Sequence, residues 1–131
     1  KSRQRASAPK FQVYNNALKT VYSDLTYKEA ILNRKEWGRI FESAVGAHII
    51  SNAFIGDYDV FYWRGKDKEV DYILKKKSRI VAIEVKSNSE TYNAGLEEIR
   101  KMYHLYATMV VGEGGMKVED FLSINPDKLF E

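Results

Sequence analysis

The sequence predicts an α/β fold, a mixed β-sheet flanked by helices in the order α-β-β-β-α-β. Three observations lead there. An apolar stripe at helical spacing runs from Trp37 through Phe54. Two runs with period-2 alternation, Val70/Tyr72/Leu74 and Val81/Ile83/Val85, flank the basic turn KKKS. After Lys86 the pattern reads helix and then strand, which makes a parallel crossover beside the second run.

In chain order, Phe11 to Tyr14 is compatible with a short strand. Thr26 with Glu29 and Asn33 with Glu36 have capping-box spacing, so a short helix ends near Asn33 and a longer one begins there. Trp37, Phe41, Ala44, Val45 and His48 form the apolar stripe of that long, amphipathic helix. Glu42 lies off its centre beside Gly38, Gly46 and Ile49, where small residues admit the close approach of a strand or ligand. The plainer reading of Glu42 is a surface carboxylate paired with Arg39. His48 is expected to be hydrogen-bonded and partly buried, and His104 to lie on a helix surface. With 2 His and no Cys, a zinc site is not expected.

Tyr58 to Trp63 reads as an aromatic strand whose rings fill the core or stack on nucleic-acid bases. It leads through the turn RGKDK into the two alternating runs. Taking Lys77-Ser78 as a two-residue turn sets Val70 opposite Val85, Tyr72 opposite Ile83 and Leu74 opposite Val81. Glu69, Asp71, Glu84 and Lys86 then gather on the other face. Any register in which paired residue numbers sum to an odd value keeps that convergence, whereas an even sum drives Asp71 into the apolar face without a partner, at a desolvation cost of several kcal/mol. Glu84 and Lys86 fall on one side of their strand, roughly 7 Å apart along it. The first half of that strand, Ile80 to Ile83, is apolar on both faces, as in a central strand. Two carboxylates can hold a divalent cation, and a nearby ammonium can orient a water or neutralise phosphate charge. These residue types suit metal-assisted phosphodiester hydrolysis.

Past Lys86, SNSETYNAG suits a loop and helix start, with Leu96, Ile99, Met102, Tyr103 and Tyr106 at helical spacing. Thr108 to Val111 makes a short strand. GEGG reads as a turn followed by no clear helix, and Asn125-Pro126 as the cap and first turn of a final short helix.

Asp71 on one strand and Glu84-Val85-Lys86 on the next resemble the PD-(D/E)XK signature of restriction-endonuclease-like nucleases. The run from FESAVGAHII through WRGKDKEVDYIL to AIEVKS is similar, more narrowly, to a domain found C-terminal to bacterial and archaeal AAA+ ATPases. Over about residues 11–112, the resemblance implies a restriction-endonuclease-like sheet with Asp71 and Glu84 as ligands of Mg²⁺ or Mn²⁺. It implies a further ligand from the Val85 carbonyl, a catalytic role for Lys86 and an assisting one for Glu42. DNA and an ATPase portion of the same longer chain are the implied partners. Val70 stands where the signature has Pro, and no Gln follows Lys86.

The 131 residues, 44% of them hydrophobic, suffice for one domain over 11–131, with 1–10 as a linker or the cut end of a longer protein. No Cys is present, which fits a reducing cytoplasm. No signal peptide is evident, and the uncharged stretch 43–55 is too short and polar to span a bilayer. No GxxxxGK[ST] sequence occurs, so this stretch is not expected to bind ATP by that route. The net charge of +3 is small, but basic residues concentrate near the second and third strands. Arg64, Lys66, Lys68, Lys75, Lys76 and Lys77 are the expected nucleic-acid contacts, beside the carboxylates. Their plainer role is to solvate turns and guard sheet edges. A catalytically silent nuclease-fold module that binds DNA or a partner is the alternative function, and a purely protein-binding domain a third.

Overall fold

The computed structural model describes residues 10–65, 67–87 and 94–131. Residues 1–9, Lys66 and 88–93 lie outside the described residues, and with them fall most of the expected linker, one expected DNA contact and most of the loop after Lys86. Two short helices, α1 (Asn16–Val21) and α2 (Tyr27–Leu32), precede the long α3 (Arg34–Gly56). Strands β1 (Asp59–Arg64), β2 (Glu69–Lys76) and β3 (Arg79–Lys86) follow, then α4 (Ala94–Met102) and β4 (Ala107–Gly112). Helix α5 (Val118–Ser123) and a 3-10 turn, Pro126–Phe130, close the chain. The predicted core order α-β-β-β-α-β is the observed one.

Local signals in the sequence set the helix ends. Thr26 and Glu29 form a reciprocal capping box on α2, and the Asn33 side chain accepts from the Glu36 amide to start α3. Asn125 caps the closing turn by accepting from the Asp127 amide, with Pro126 in its first turn. Three expectations need correction. Phe11 to Tyr14 is no strand: with no ladder partner among the described residues, the segment is fastened by the Gln12 side chain to the Ser43 carbonyl, 2.9 Å away. Helix α4 ends at Met102, so Tyr103, His104 and Tyr106 belong to the connection to β4. The turn at GEGG is present, but α5 follows it, with Phe121 fully buried.

The sheet runs β1-β2-β3-β4, antiparallel except for the parallel β3–β4 pair. The β2–β3 register is the predicted one: Tyr72 faces Ile83, Leu74 faces Val81, and Lys76 faces Arg79 across the Lys77-Ser78 turn. On one face, Tyr72, Leu74, Val81, Ile83 and Val111 pack against Val45 and Ile49 of α3 and against Phe121. On the other, Ile73 and Ala82 pack against Leu96 and Ile99 of α4. Burial on both faces explains why Tyr72-Ile73-Leu74 is a continuous apolar run.

Val70 departs from the predicted alternation. It packs with Ile73 on the α4 side, opposite to Tyr72 and Leu74. The cause is a bulge: Phe61 pairs with Ile73 and Trp63 with Val70, so Asp71 and Tyr72 stand together against Tyr62. The β2–β3 ladder ends at Tyr72–Ile83, short of the expected Val70–Val85 pair. Trp63 fills the α4-side core, whereas Phe61 on the same strand is 52% exposed.

Candidate functional site

The bulge gives Asp71 its setting. Where the ladder stops, the Val85 amide donates to Asp71 Oδ2 at 2.8 Å, so a carboxylate takes the place of a strand carbonyl. Asp71 Oδ1 turns toward α3, where Lys10 Nζ lies 3.4 Å from it and 2.6 Å from Glu42 Oε1. Lys10 also sits over the Tyr72 ring, 5.3 Å from its centroid. Tyr72 Oη donates a hydrogen bond at 2.9 Å, toward the Glu42 carbonyl and Gln12 Oε1. Gly46 makes this packing possible, because a Cβ there would stand 2.3 Å from Tyr72 Oη and 2.2 Å from Gln12 Oε1. The small residues around Glu42 thus admit a strand side chain, as expected. Arg39 pairs with Glu36 rather than with Glu42.

Glu84 and Lys86 occupy the end of β3 and contact each other at 3.2 Å, with side chains only 12% and 18% exposed. Alternation from Ala82 puts both on the α4 side, while Asp71 reaches from the bulge toward α3. The sequence places all three on one pleat face; the extra residue in β2 changes that, leaving Asp71 with Lys10 and the Val85 amide on one side and Glu84 with Lys86 on the other side of the seam where β2 and β3 separate. Glu69, expected opposite Lys86, instead pairs with Arg64 at 3.6 Å. Among the described residues no group of three or more His, Cys, Asp or Glu is disposed to hold a metal ion. The carboxylates divide into two lysine-neutralised sets: Glu42 and Asp71 on Lys10, and Glu84 on Lys86.

Burial raises the Asp71 carboxyl to about 7, with the charges of Glu42 and Glu84 adding to the effect and the Val85 amide and Lys10 opposing it. Burial also raises Glu84, against its bond to Lys86 and the Asp71 amide. For Lys10, burial acts downward but is outweighed by Glu42 and Asp71, so its ammonium is held above the ordinary range. Tyr72 is raised by burial and by the same two carboxylates.

The expected DNA contacts split into two groups. Arg64 and Lys68 lie at the carboxylate end of the sheet, but Arg64 is engaged by Glu69, and Lys68 by Glu98 at 3.4 Å. Lys75, Lys76 and Lys77 sit at the opposite end of the hairpin, five residues or roughly 16 Å along the strand from Asp71. They are not beside the site, because the turn of a hairpin lies far from the end of its second strand. Lys76 is held by Asp127 at 2.5 Å. His48 is hydrogen-bonded to the Ile124 carbonyl at 2.8 Å and stacked edge-on against Phe121, which is the structural role expected of it.

A family described as a domain of unknown function, DUF4143, matches residues 37–124, more than half of the chain. The chain belongs to the DUF4143 family. Searches of curated proteins and of solved structures give no match. The DUF4143 span contains Glu42, Asp71, Glu84, Val85 and Lys86, while Lys10 and Gln12 precede it. Those two, with Tyr72, are the site residues that sequence reasoning missed. Only Gly46, on the helix face that receives them, hinted at a close approach. Among the described residues no helix is long and apolar enough to cross a membrane.

Proposed function

We propose that this DUF4143 domain is a Mg²⁺- or Mn²⁺-dependent DNA nuclease, serving an ATPase portion of the same longer chain. One observation carries the reading: a buried aspartate set in a strand bulge shares the open end of β2 and β3 with a partly buried glutamate and a lysine. The donor set fits a hard cation, because Asp71, Glu84 and the Val85 carbonyl offer only oxygen. Among the described residues nothing donates to the buried Glu84 Oε2, an acceptor left over that a cation would satisfy. Burial raises the Asp71 and Glu84 carboxyls, with the charges of Glu42 and Glu84 adding to it at Asp71, and a bound cation would offset that desolvation.

Asp71, Glu84 and the Val85 carbonyl would hold the ion, which when bound acidifies a water and neutralises phosphate charge. Lys86 would leave Glu84 to hold the attacking water or a phosphate oxygen, its three donors suiting a mobile point charge. Glu42 would orient that water from α3. Arg64 and Lys68, at the same end of the sheet, would track the DNA backbone by exchanging their present carboxylate partners for phosphate.

The internal pairing of the described charged groups around Asp71, Glu42 with Lys10, Glu84 with Lys86 and Glu69 with Arg64, favours a second reading, a catalytically silent module that binds DNA or a partner. Cleavage of plasmid and branched DNA with Mn²⁺ separates the two. The nuclease reading expects turnover that falls at least about a hundredfold in Glu84→Ala and in Lys86→Ala, on the scale of losing a group that acts on the reacting centre. Activity retained in both variants overturns it, and DNA binding without cleavage in the parent favours the second reading.

A further inference from the structure

We propose that Lys10 is a built-in competitor for the metal site, an ammonium that holds Glu42 and Asp71 until a divalent cation displaces it. The inference rests on the metal-site reading of Asp71 and adds its regulation. The arrangement has several independent supports. The Lys10 ammonium lies 2.6 Å from Glu42 and 3.4 Å from Asp71, the two carboxylates on the α3 side of the bulge. Its position is fixed from its own segment: two residues on, Gln12 Nε2 donates to the Ser43 carbonyl at 2.9 Å, and Gln12 Oε1 faces the Tyr72 hydroxyl at 2.9 Å. Gly46 provides the notch that seats this strap. Lys10 and Gln12 precede the span that matches the DUF4143 family, so the strap is supplied from outside the part of the chain that carries the carboxylates.

A carboxylate cannot give its full charge to an ammonium and to a divalent cation at once. With Lys10 in place, Asp71 Oδ1 faces the amine and Oδ2 faces the Val85 amide, so both oxygens are engaged. A cation on Asp71 therefore competes with the Lys10 ammonium for the same carboxylate charge, and any pull on the segment that carries Lys10 would change the affinity of the site. Lys10 is thus a positioning residue: it acts on the reaction through Asp71 and Glu42.

Two measurements on the intact chain test this. Calorimetric titration with Mn²⁺ compares the parent with Lys10→Gln, Lys10→Arg and Gln12→Ala. Lys10→Gln is expected to bind about tenfold tighter, equivalent to about 1.4 kcal/mol. Gln12→Ala, which loosens the strap and keeps the amine, should improve affinity by less, and Lys10→Arg should stay near the parent. Amine-reactive labelling read by mass spectrometry then follows Lys10 in the parent, and its labelling should accelerate several-fold at saturating Mn²⁺. Mn²⁺ binding with equal affinity in all four proteins, or with Lys10 labelling unchanged by metal, overturns the competitor and leaves the metal site standing. No Mn²⁺ binding in any of them overturns both.

Discussion

Replacing Asp71 with Asn removes a buried charge while keeping the shape and an acceptor for the Val85 amide, which isolates the electrostatics of the bulge. The carboxyl moves from an ordinary 3.8 to about 7 in the folded protein. The native state therefore keeps its proton to higher pH than the unfolded chain. Between those values folding takes up a proton, so stability falls as pH rises; below and above them the contribution is constant. The residue is 7% exposed, so solvent screening does little to reduce the effect. At about 1.4 kcal/mol per pH unit, the parent should lose up to about 3 kcal/mol relative to Asp71→Asn between pH 5 and pH 8. Relaxation and water entry around the bulge bring the expected relative loss to about 1–2 kcal/mol. Groups common to both proteins, Glu42, Glu84 and Lys10 among them, cancel to first order in the comparison. Urea unfolding of both proteins at pH 5, 6, 7 and 8 supplies the numbers. A parent whose stability stays constant or rises relative to Asp71→Asn as pH rises would refute the account of Asp71 as a carboxyl raised by burial and by its acidic neighbours.

Gly95→Ala should destabilise the domain by about 2–4 kcal/mol in the same unfolding assay, since a Cβ there would stand 2.0 Å from the Glu69 carbonyl oxygen. Because that close approach abuts the start of β2, the variant should also weaken Mn²⁺ binding at Asp71 without touching a ligand. The combined change of Lys75, Lys76 and Lys77 to Ala should leave the salt dependence of DNA binding unaltered, whereas removing a lysine that pairs with a phosphate would reduce the slope by about 0.9. A clearly shallower slope would place DNA across the far end of the hairpin and contradict the assignment of the binding surface to the Arg64 and Lys68 end.

The sheet was legible because its signals are local and mutually reinforcing. Alternation in β2 and β3, the two-residue turn at Lys77-Ser78 and the apolar run at Ile80 together admit few registers, and the observed pairing of Tyr72 with Ile83 is the one they select. The capping residues Thr26, Asn33 and Asn125 located helix starts for the same reason. The bulge at Asp71 and Tyr72 was not legible. It arises from how β2 meets β1 on one side and β3 on the other, and period-2 alternation assumes no extra residue. Its consequence falls on the site: Asp71 and Glu84 flank a seam rather than sharing one face. Lys10 was hidden for a different reason. It is 61 residues from Asp71 in sequence, in a segment without regular structure, and no local pattern announces an ion pair of that range. The end of α4 was misplaced because Tyr103 and Tyr106 continue the helical spacing, while the chain there has already turned to deliver β4.

The most direct measurement is an anomalous-scattering experiment on crystals soaked in Mn²⁺. The account predicts one peak bonded to Asp71 and to Glu84 Oε2, which lacks a donor among the described residues, with Lys10 withdrawn from between Asp71 and Glu42. A Mn²⁺-saturated crystal with no peak there, and with Glu84 still on Lys86 and Asp71 still on Lys10, would contradict it.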